Sequence, residues 1–269
     1  MMAITTNNGE RIIPEEFKSK EEYLLYLRHL FAYEFAKERI PEKAFVLEVG
    51  CGEGYGTKLL SQSVGKIIGL DVDKNTIAHS SVKYGAENCF FRTYDGVKIP
   101  YEDSTFDTVV SFQVIEHIED DANYVSEIYR VLKGNGTLIL TTPNRTNRLK
   151  PGQKPWNKFH IREYYPEELE KILNNKFYDV KIWGIRGNDE VQRIEMERLK
   201  RHISIISTDP LNLRKLIPKP LKNLLRRINH SEHTTNNDEE LLNKYDIKNF
   251  YLIKSDVRES LDLLGICKK

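Results

Sequence analysis

The sequence lacks the features of a secreted or membrane-spanning protein. Its 269 residues include three cysteines, at positions 51, 89 and 267, which are too few and too widely separated for a disulfide framework. No run of 18 apolar residues is present, and the polar first eleven residues contain no signal-peptide core. We therefore expect a reducing compartment and a cytoplasmic location.

A large net charge of either sign is also lacking, since 41 lysines and arginines against 40 aspartates and glutamates leave a formal net charge of +1. This balance excludes a uniformly basic coat for nucleic acids, and we do not expect a nucleic acid as the partner. The charge is nevertheless uneven, because the segment from Arg193 to Arg227 contains ten basic and three acidic residues. Such a segment suits an anionic membrane surface or a phosphorylated substrate, so we also expect peripheral membrane contact.

What the sequence does contain is an alternation of short apolar runs with longer amphipathic stretches. This alternation predicts a Rossmann-like, doubly wound α/β fold with a mostly parallel, seven-stranded sheet. The predicted strands are Phe45–Val49, Lys66–Leu70, Cys89–Thr93, Thr108–Phe112, Thr137–Thr141, Asp179–Gly184 and Asn249–Lys254. The predicted helices are Glu21–Arg39, Gly56–Ser63, Lys74–Tyr84, Asp121–Leu132, Pro166–Asn174, Val191–Ile206 and Leu211–Ile228.

The domain organisation follows from the same pattern. We expect a single domain over residues 1–269, with an N-terminal helical cap at 10–42. A helical insertion or lid at 188–240 is expected between the last two strands, interrupted by prolines.

The most informative segment is a loop with glycines at positions 50, 52, 54 and 56, directly after the first strand. Glycines are needed where a chain turns tightly and a ligand touches its backbone. Asp71 ends the next strand, where a carboxylate can accept both hydroxyls of a ribose. Such loops bind NAD, FAD or S-adenosylmethionine. Glu48 favours S-adenosylmethionine, because a carboxylate would repel a pyrophosphate and attract a sulfonium and an ammonium group.

With these motifs the sequence resembles the class I S-adenosylmethionine-dependent methyltransferases, closely over residues 45–144. The resemblance implies S-adenosylmethionine as cofactor and S-adenosylhomocysteine as product. It also implies that Asp71 binds the ribose, Val72 flanks the adenine and Asp95 meets the adenine amine. The motifs that carry it are Leu47–Gly54, Gly69–Asp71, Asp95–Gly96, Ile99–Pro100 with Phe106–Asp107, and Ile115–His117. The predicted cofactor-binding residues are Glu48, Gly50, Cys51, Gly52, Asp71, Val72, Asp95, Gly96 and Gln113.

Two histidines are the candidate catalytic residues. His117 follows the fourth strand, and His160 lies in a polar and aromatic loop after the fifth strand, which also contains Trp156. Ligands bind beyond the carboxyl ends of strands in this architecture, and an imidazole is suited to remove the proton of an alcohol.

A metal-dependent alternative remains open. Small-RNA 3′-terminal 2′-O-methyltransferases hold a metal with a Glu-x-x-Glu-His cluster and a distant histidine, and ubiquinone-pathway O-methyltransferases are similar at the first cluster. Glu116, His117 and His160 match this pattern, whereas Gln113 stands at the position of the first glutamate. Because an amide is a poor substitute for a carboxylate on a hard cation, we predict no metal ligands.

The leading functional hypothesis is an S-adenosylmethionine-dependent methyltransferase that methylates an oxygen of a small molecule, sugar or lipid-linked glycan. The alternatives are a metal-dependent RNA 2′-O-methyltransferase and a methyltransferase of a quinone or lipid pathway. A binding module without catalysis is the non-enzymatic alternative, against which the intact glycine loop and Asp71 both count.

Overall fold

The computed structural model describes residues 14, 17, 19–208 and 243–269. An eight-stranded sheet forms its centre, in the order β3-β2-β1-β4-β5-β8-β6-β7. Strands β1 to β5 pair in parallel, whereas β8 is antiparallel to β5 and β6, and β7 is antiparallel to β6. The strands are β1 (Phe45–Val49), β2 (Lys66–Asp71), β3 (Cys89–Thr93), β4 (Phe106–Phe112), β5 (Leu132–Pro143), β6 (Asp179–Gly187), β7 (Phe250–Ile253) and β8 (Asp262–Lys268).

Helices cover both faces of the sheet. The helices are α1 (Lys20–Lys37), α2 (Tyr55–Ser61), α3 (Lys74–Tyr84), α4 (Asp121–Val131), α5 (Arg145–Arg148), α6 (Pro166–Asn174) and α7 (Asp189–Thr208). One apolar cluster joins α1, α2 and α7 to the sheet, and a second joins α4 and α6 to its opposite face. Consecutive residues of β1 alternate between the two, Val46 in the first cluster and Leu47 in the second. The sheet is therefore buried on both sides, as parallel sheets require.

The predicted α/β fold class is confirmed, and several elements have the predicted bounds, among them β1, β3, α3 and α6. The carboxylates of Asp73 and Asp120 accept backbone hydrogen bonds at the starts of α3 and α4. These bonds satisfy amide groups that have no partner within a helix. These caps fix where α3 and α4 begin, and so fix the ends of the loops that precede them.

The predicted strand count of seven is wrong, because the sheet has eight strands. The strand that was not predicted is β8, a short run near the end of the chain that lies between β5 and β6 and bonds to both. Helix α7 consequently lies between β6 and β7, with β8 still to follow, rather than between the last two strands. Strand β7 lies at the edge of the sheet and pairs with β6 alone. The strand that joins β5 to β6 is therefore β8, although it comes last in the chain.

Some expectations concern residues outside the described part. The predicted helix Leu211–Ile228, most of the basic segment and most of the first residues of the N-terminal cap lie there. Within the described residues, no helix has both the length and the apolar character needed to cross a bilayer.

Candidate active site

A cavity of about 630 Å³ opens at the carboxyl ends of the parallel strands. One side is formed by the glycine loop and the other by the two candidate histidines, so the elements predicted separately meet in one place. Nine predicted site residues line this cavity: Gly50, Cys51, Gly52, Asp71, Val72, Gly96, Gln113, His117 and His160. Glu48 and Asp95 do not line it.

The glycine loop needs its glycines for two different reasons. Gly50, Gly52 and Gly54 all have positive φ, at 79°, 50° and 80°, where a side chain is strained. A Cβ at Gly50 would also lie 2.3 Å from Cγ2 of Val114. A Cβ at Gly52 would meet nothing within 4 Å. The loop is therefore packed against Val114 at Gly50, whereas the space beside Gly52 is open and allows a ligand to contact the backbone.

Asp71 is held at the mouth of this loop by two backbone amides. Its Oδ2 accepts from the Gly52 amide at 2.9 Å, and its Oδ1 accepts from the Asp73 amide at 3.0 Å. A carboxylate oxygen can accept more than one hydrogen bond, so both oxygens can still bind a pair of hydroxyls. The contact with Gly52 also ties the orientation of the carboxylate to the conformation of the loop.

An apolar slot continues beyond Asp71. The side chain of Val72 is 58% exposed at the edge of the cavity, and a Cβ at Gly96 would lie 3.1 Å from its Cγ1. Gln113 closes the opposite side with a positive φ of 57°, and its Nε2 donates to Oγ1 of Thr141 at 3.2 Å. The slot is suited to a flat, largely apolar ring.

Glu48 lies behind the cavity wall rather than in it. It is fully buried, and its two oxygens accept from the hydroxyls of Tyr33 and Thr57, each at 2.5 Å. Burial raises the pKa of Glu48 to about 7, although these two hydrogen bonds oppose the shift. Tyr33 lines the cavity, so any effect of Glu48 on a ligand passes through the Tyr33 hydroxyl instead of a direct contact.

Asp95 and Cys51 also have local roles in the structure. Oδ1 of Asp95 accepts from the amides of Lys98 and Val97, which lowers the pKa of this exposed carboxyl. The Cys51 thiol is buried in the glycine loop, and burial raises its pKa well above the usual value. A thiol held in its neutral form is a poor nucleophile.

The position of Glu48 gives a pH prediction. Its folded pKa of about 7 lies above the usual 4.5, so the stability it contributes is present below pH 4.5 and is lost as the pH rises through 7. Between pH 5 and pH 8, the free energy of unfolding should fall by about 2 kcal/mol more in the wild type than in Glu48→Gln. Urea titrations at the two pH values measure this difference. Equal falls in both proteins would show that Glu48 does not titrate there.

The two histidines meet at the other end of the cavity, with perpendicular rings 4.9 Å apart between centroids. His117 ends a 3₁₀ turn after β4, and its Nδ1 lies 3.0 Å from the carbonyl oxygen of Phe159. Nδ1 of His160 lies 2.8 Å from Oε1 of Glu163. A carbonyl and a carboxylate only accept, so both Nδ1 atoms donate. In each neutral ring the lone pair is then on Nε2.

Glu163, which the sequence analysis did not single out, is the carboxylate behind His160. It is 2% exposed, and its second oxygen accepts from Nε of Arg148 at 2.9 Å. Burial would raise the pKa of Glu163, but the hydrogen bonds from His160 and Arg148 hold it below the usual value. The His-x-x-Glu spacing within one loop was the only sequence signal for this pair.

Glu116 completes a cluster that could hold a cation. It is fully buried, Oε2 accepts from Thr142 at 2.9 Å, and Oε1 has no hydrogen-bond partner among the described residues. Burial raises the pKa of Glu116 to about 8. One ligand atom each of Glu116, His117 and His160 lie within 4.8 Å of one another. A carboxylate and two imidazoles, each oriented through Nδ1, form a donor set that fits a divalent metal ion.

Comparisons with known proteins agree with this geometry. The family described as "Methyltransferase domain" matches residues 47–140. A probable S-adenosylmethionine-dependent methyltransferase of Mycolicibacterium smegmatis is 39% identical over 173 residues, covering 64% of this chain and 65% of the relative. The mitochondrial ubiquinone biosynthesis O-methyltransferase of Arabidopsis thaliana is 28% identical, covering 59% of this chain and 55% of the relative. The chain thus spans about 65% or less of the length of these curated relatives.

Among solved structures, an S-adenosylmethionine-dependent methyltransferase of Thermotoga maritima superposes with a TM-score of 0.57. The match covers 92% of each chain at 15% identity, which establishes the shared fold.

Proposed function

Because the chain belongs to the class I S-adenosylmethionine-dependent methyltransferase superfamily, we propose that it transfers the methyl group of S-adenosylmethionine to a hydroxyl oxygen. The acceptor is a small molecule, with a sugar or a lipid-linked glycan as the preferred class. The observation that carries this proposal is the His160–Glu163 pair, since His160 lines the same cavity as the open glycine loop.

The cofactor end of the cavity fits S-adenosylmethionine. The open side of Gly52 admits a ligand against the backbone, and Asp71 is in position to accept the two ribose hydroxyls. Val72 and Gly96 form the apolar slot for the adenine. When bound, the cofactor supplies an electrophilic methyl group on a sulfonium, and the protein aligns the acceptor with it.

The histidine end supplies a base for an alcohol. An alcohol is a weak nucleophile until its proton is removed, and Nε2 of His160 carries the lone pair that can take this proton. Glu163 fixes the ring through Nδ1 and stabilises the imidazolium that forms, while Arg148 keeps Glu163 ionised. A neutral amine is already nucleophilic, whereas an alcohol is not until a base removes its proton, which is why oxygen is the preferred acceptor atom.

The surroundings of the histidines support a polar acceptor. Trp156, Asn157 and Arg198 line this end of the cavity, and an aromatic face beside polar groups suits a sugar ring. Arg198 belongs to α7, so this helix, the described part of the predicted insertion at 188–240, covers the acceptor end in our proposal. The basic character of that insertion supports contact with an anionic membrane surface in the cytoplasm.

Transfer of tritium from [methyl-³H]S-adenosylmethionine into a small-molecule and glycan extract tests the proposed reaction. The product should release tritiated methyl iodide in hot hydriodic acid, as methyl ethers do. Tritium that stays bound under these conditions would indicate methylation of carbon or nitrogen and would contradict the proposed acceptor atom.

A second candidate, metal-dependent transfer, is favoured by one observation, the unpaired Oε1 of buried Glu116 beside the two histidines. Such an enzyme would take an acceptor with two neighbouring hydroxyls, such as a catechol or the 3′ end of an RNA. In that case Glu116, His117 and His160 hold the ion through the donor atoms described above.

Removal of divalent metal separates the two candidates. If His160 is the base, we expect the rate of tritium transfer to be unchanged after treatment with EDTA and desalting. Loss of transfer that returns with added Mg²⁺ or Zn²⁺, together with bound metal by mass spectrometry, would favour the metal-dependent reaction instead. Glu116→Gln in the same assay should then abolish metal binding.

A further inference from the structure

Three arginines line the acceptor end of the cavity, and they come from three different helices. Arg28 belongs to α1, Arg148 to α5 and Arg198 to α7. Their side chains are only 4%, 7% and 16% exposed. Buried arginines require hydrogen-bond acceptors for their N–H groups, supplied either by the protein or by a ligand.

Described residues use only part of this donor capacity. Arg28 contacts Glu195 at 3.0 Å and Asp262 at 2.8 Å, and Arg198 contacts Glu195 at 2.8 Å. Each guanidinium has five N–H groups, and each of these two directs no more than two of its nitrogens at a carboxylate. The two arginines are therefore neutralised but not saturated with hydrogen bonds.

Arg148 has the largest unused capacity. Its Nε donates to Glu163, and the described residues contain no hydrogen-bond acceptor for its two Nη atoms. The guanidinium lies over the ring of Trp156, 4.6 Å from the centroid, which fixes its plane. A planar guanidinium with two free nitrogens matches the oxygens of a carboxylate or a phosphate, because it can donate to both at once.

The position of this group separates it from the ribose site at Asp71. Asp71 ends β2, whereas Arg148 follows β5 and Arg28 pairs with Asp262 at the start of β8. In the sheet order, β8 lies four strands from β2, a separation of ~19 Å at the usual strand spacing. Arg148 is nonetheless close to the proposed base, because it shares the carboxylate of Glu163 with His160.

We propose that Arg148, stacked on Trp156, binds an anionic group of the acceptor, a carboxylate or a phosphate, beside the hydroxyl that His160 deprotonates. This inference rests on the proposed methyl transfer and narrows its acceptors to anionic molecules. Arg28 and Arg198 add positive potential behind the site, while their own carboxylate partners prevent an excess of buried charge.

Tryptophan fluorescence can report on this site directly. The chain has two tryptophans, so Trp183→Phe leaves Trp156 as the sole emitter. This variant is titrated with sodium phosphate and with sodium acetate at constant ionic strength, with and without saturating S-adenosylhomocysteine. We expect a saturable change with at least one anion, and the same affinity when the cofactor product is present. Tighter binding of phosphate would indicate a phosphate ester, and tighter binding of acetate a carboxylic acid.

Substitutions in the Trp183→Phe background identify the partner. Arg148→Gln should weaken anion binding by about tenfold or more, since it removes a charge-assisted contact. Arg148→Lys keeps the charge and a partner for Glu163 but loses the planar fork, so we expect a smaller loss of about threefold. Arg193→Gln, an exposed arginine on α7 that is paired with Glu197, is the control and should leave binding unchanged.

Three outcomes would overturn the inference: no saturable change with either anion, equal affinity in the wild-type and Arg148 proteins, or displacement of the anion by S-adenosylhomocysteine. The last would mean that the anion occupies the place of the cofactor carboxylate. Calorimetry with S-adenosylhomocysteine on the same protein distinguishes a failure of the anion site from a failure of the proposed methyl transfer. If the cofactor product binds and the anions do not, this inference fails while the proposed function stands.

Discussion

Asp71→Ala is expected to weaken the binding of S-adenosylhomocysteine by at least about 100-fold, measured by isothermal titration calorimetry. The carboxylate would lose two hydrogen bonds to the ribose, and bonds to a charged acceptor each contribute roughly 1.5–3 kcal/mol. The substitution also frees the Gly52 amide, which Asp71 holds at 2.9 Å. Loop order and ligand contact are therefore lost together, so this substitution has the largest expected effect on the cofactor.

Asp73→Ala is the matched control for this prediction. Asp73 lies two residues away, and its Oδ1 accepts from the amides of Asn75 and Thr76 at the start of α3. Its loss should cost about 1 kcal/mol of stability, as for other helix caps, with little change in affinity. Equal affinities in the Asp71→Ala and wild-type proteins would contradict the assignment of the ribose site.

His160→Ala is expected to lower the rate of methyl transfer by about 10²–10⁴-fold while leaving the affinity for S-adenosylhomocysteine unchanged. The reason is that His160 acts on the acceptor proton, whereas Asp71 and Gly52 hold the cofactor at the other end of the cavity. The rate is measured as tritium incorporated into the extract, and the affinity by calorimetry. A variant with normal transfer would exclude His160 as the base.

Glu163→Gln tests the positioning of that base. Glu163 takes no proton from the acceptor, and its Oε1 lies 2.8 Å from Nδ1 of His160, so its effect on proton removal passes through the His160 ring. In the wild type, ¹⁵N NMR should show a proton on Nδ1 of His160. In the variant this proton should be distributed between Nδ1 and Nε2, and the transfer rate should be at least about tenfold lower. Glu167→Gln, at an exposed glutamate paired with Arg258, is the control and should change neither.

The parallel half of the fold could be predicted from sequence because its signals are local. A buried run such as Phe45–Val49, a glycine loop and a capping aspartate at Asp73 each lie within a few residues of one another. Strand β8 could not be predicted in this way, because what defines it is its pairing with β5 and β6, which are distant in the chain. Its apolar residues Leu263 to Cys267 alone do not show that the strand is inserted between two others.

The distinction between local signals and contacts of distant segments also explains which site residues could be predicted. Positions such as Gly52 and Asp71 are tied to the strand ends, so their spacing along the chain reflects their spacing in the structure. Glu48 has the expected position in sequence, but its contacts with Tyr33 and Thr57 come from helices packed above the strand and turn it away from the cavity. The pairing of Arg148 with Glu163 depends on the contact of α5 with the loop before α6, which no local spacing describes.

The central claim is that the cofactor extends from Asp71 towards the paired histidines. A crystal structure with S-adenosylhomocysteine tests this claim most directly, through the positions of its ribose hydroxyls and its sulfur. We predict both hydroxyls within hydrogen-bond distance of the Asp71 carboxylate, and the sulfur facing the space in front of Nε2 of His117 and His160. A sulfur directed away from both histidines would contradict the proposed site of methyl transfer.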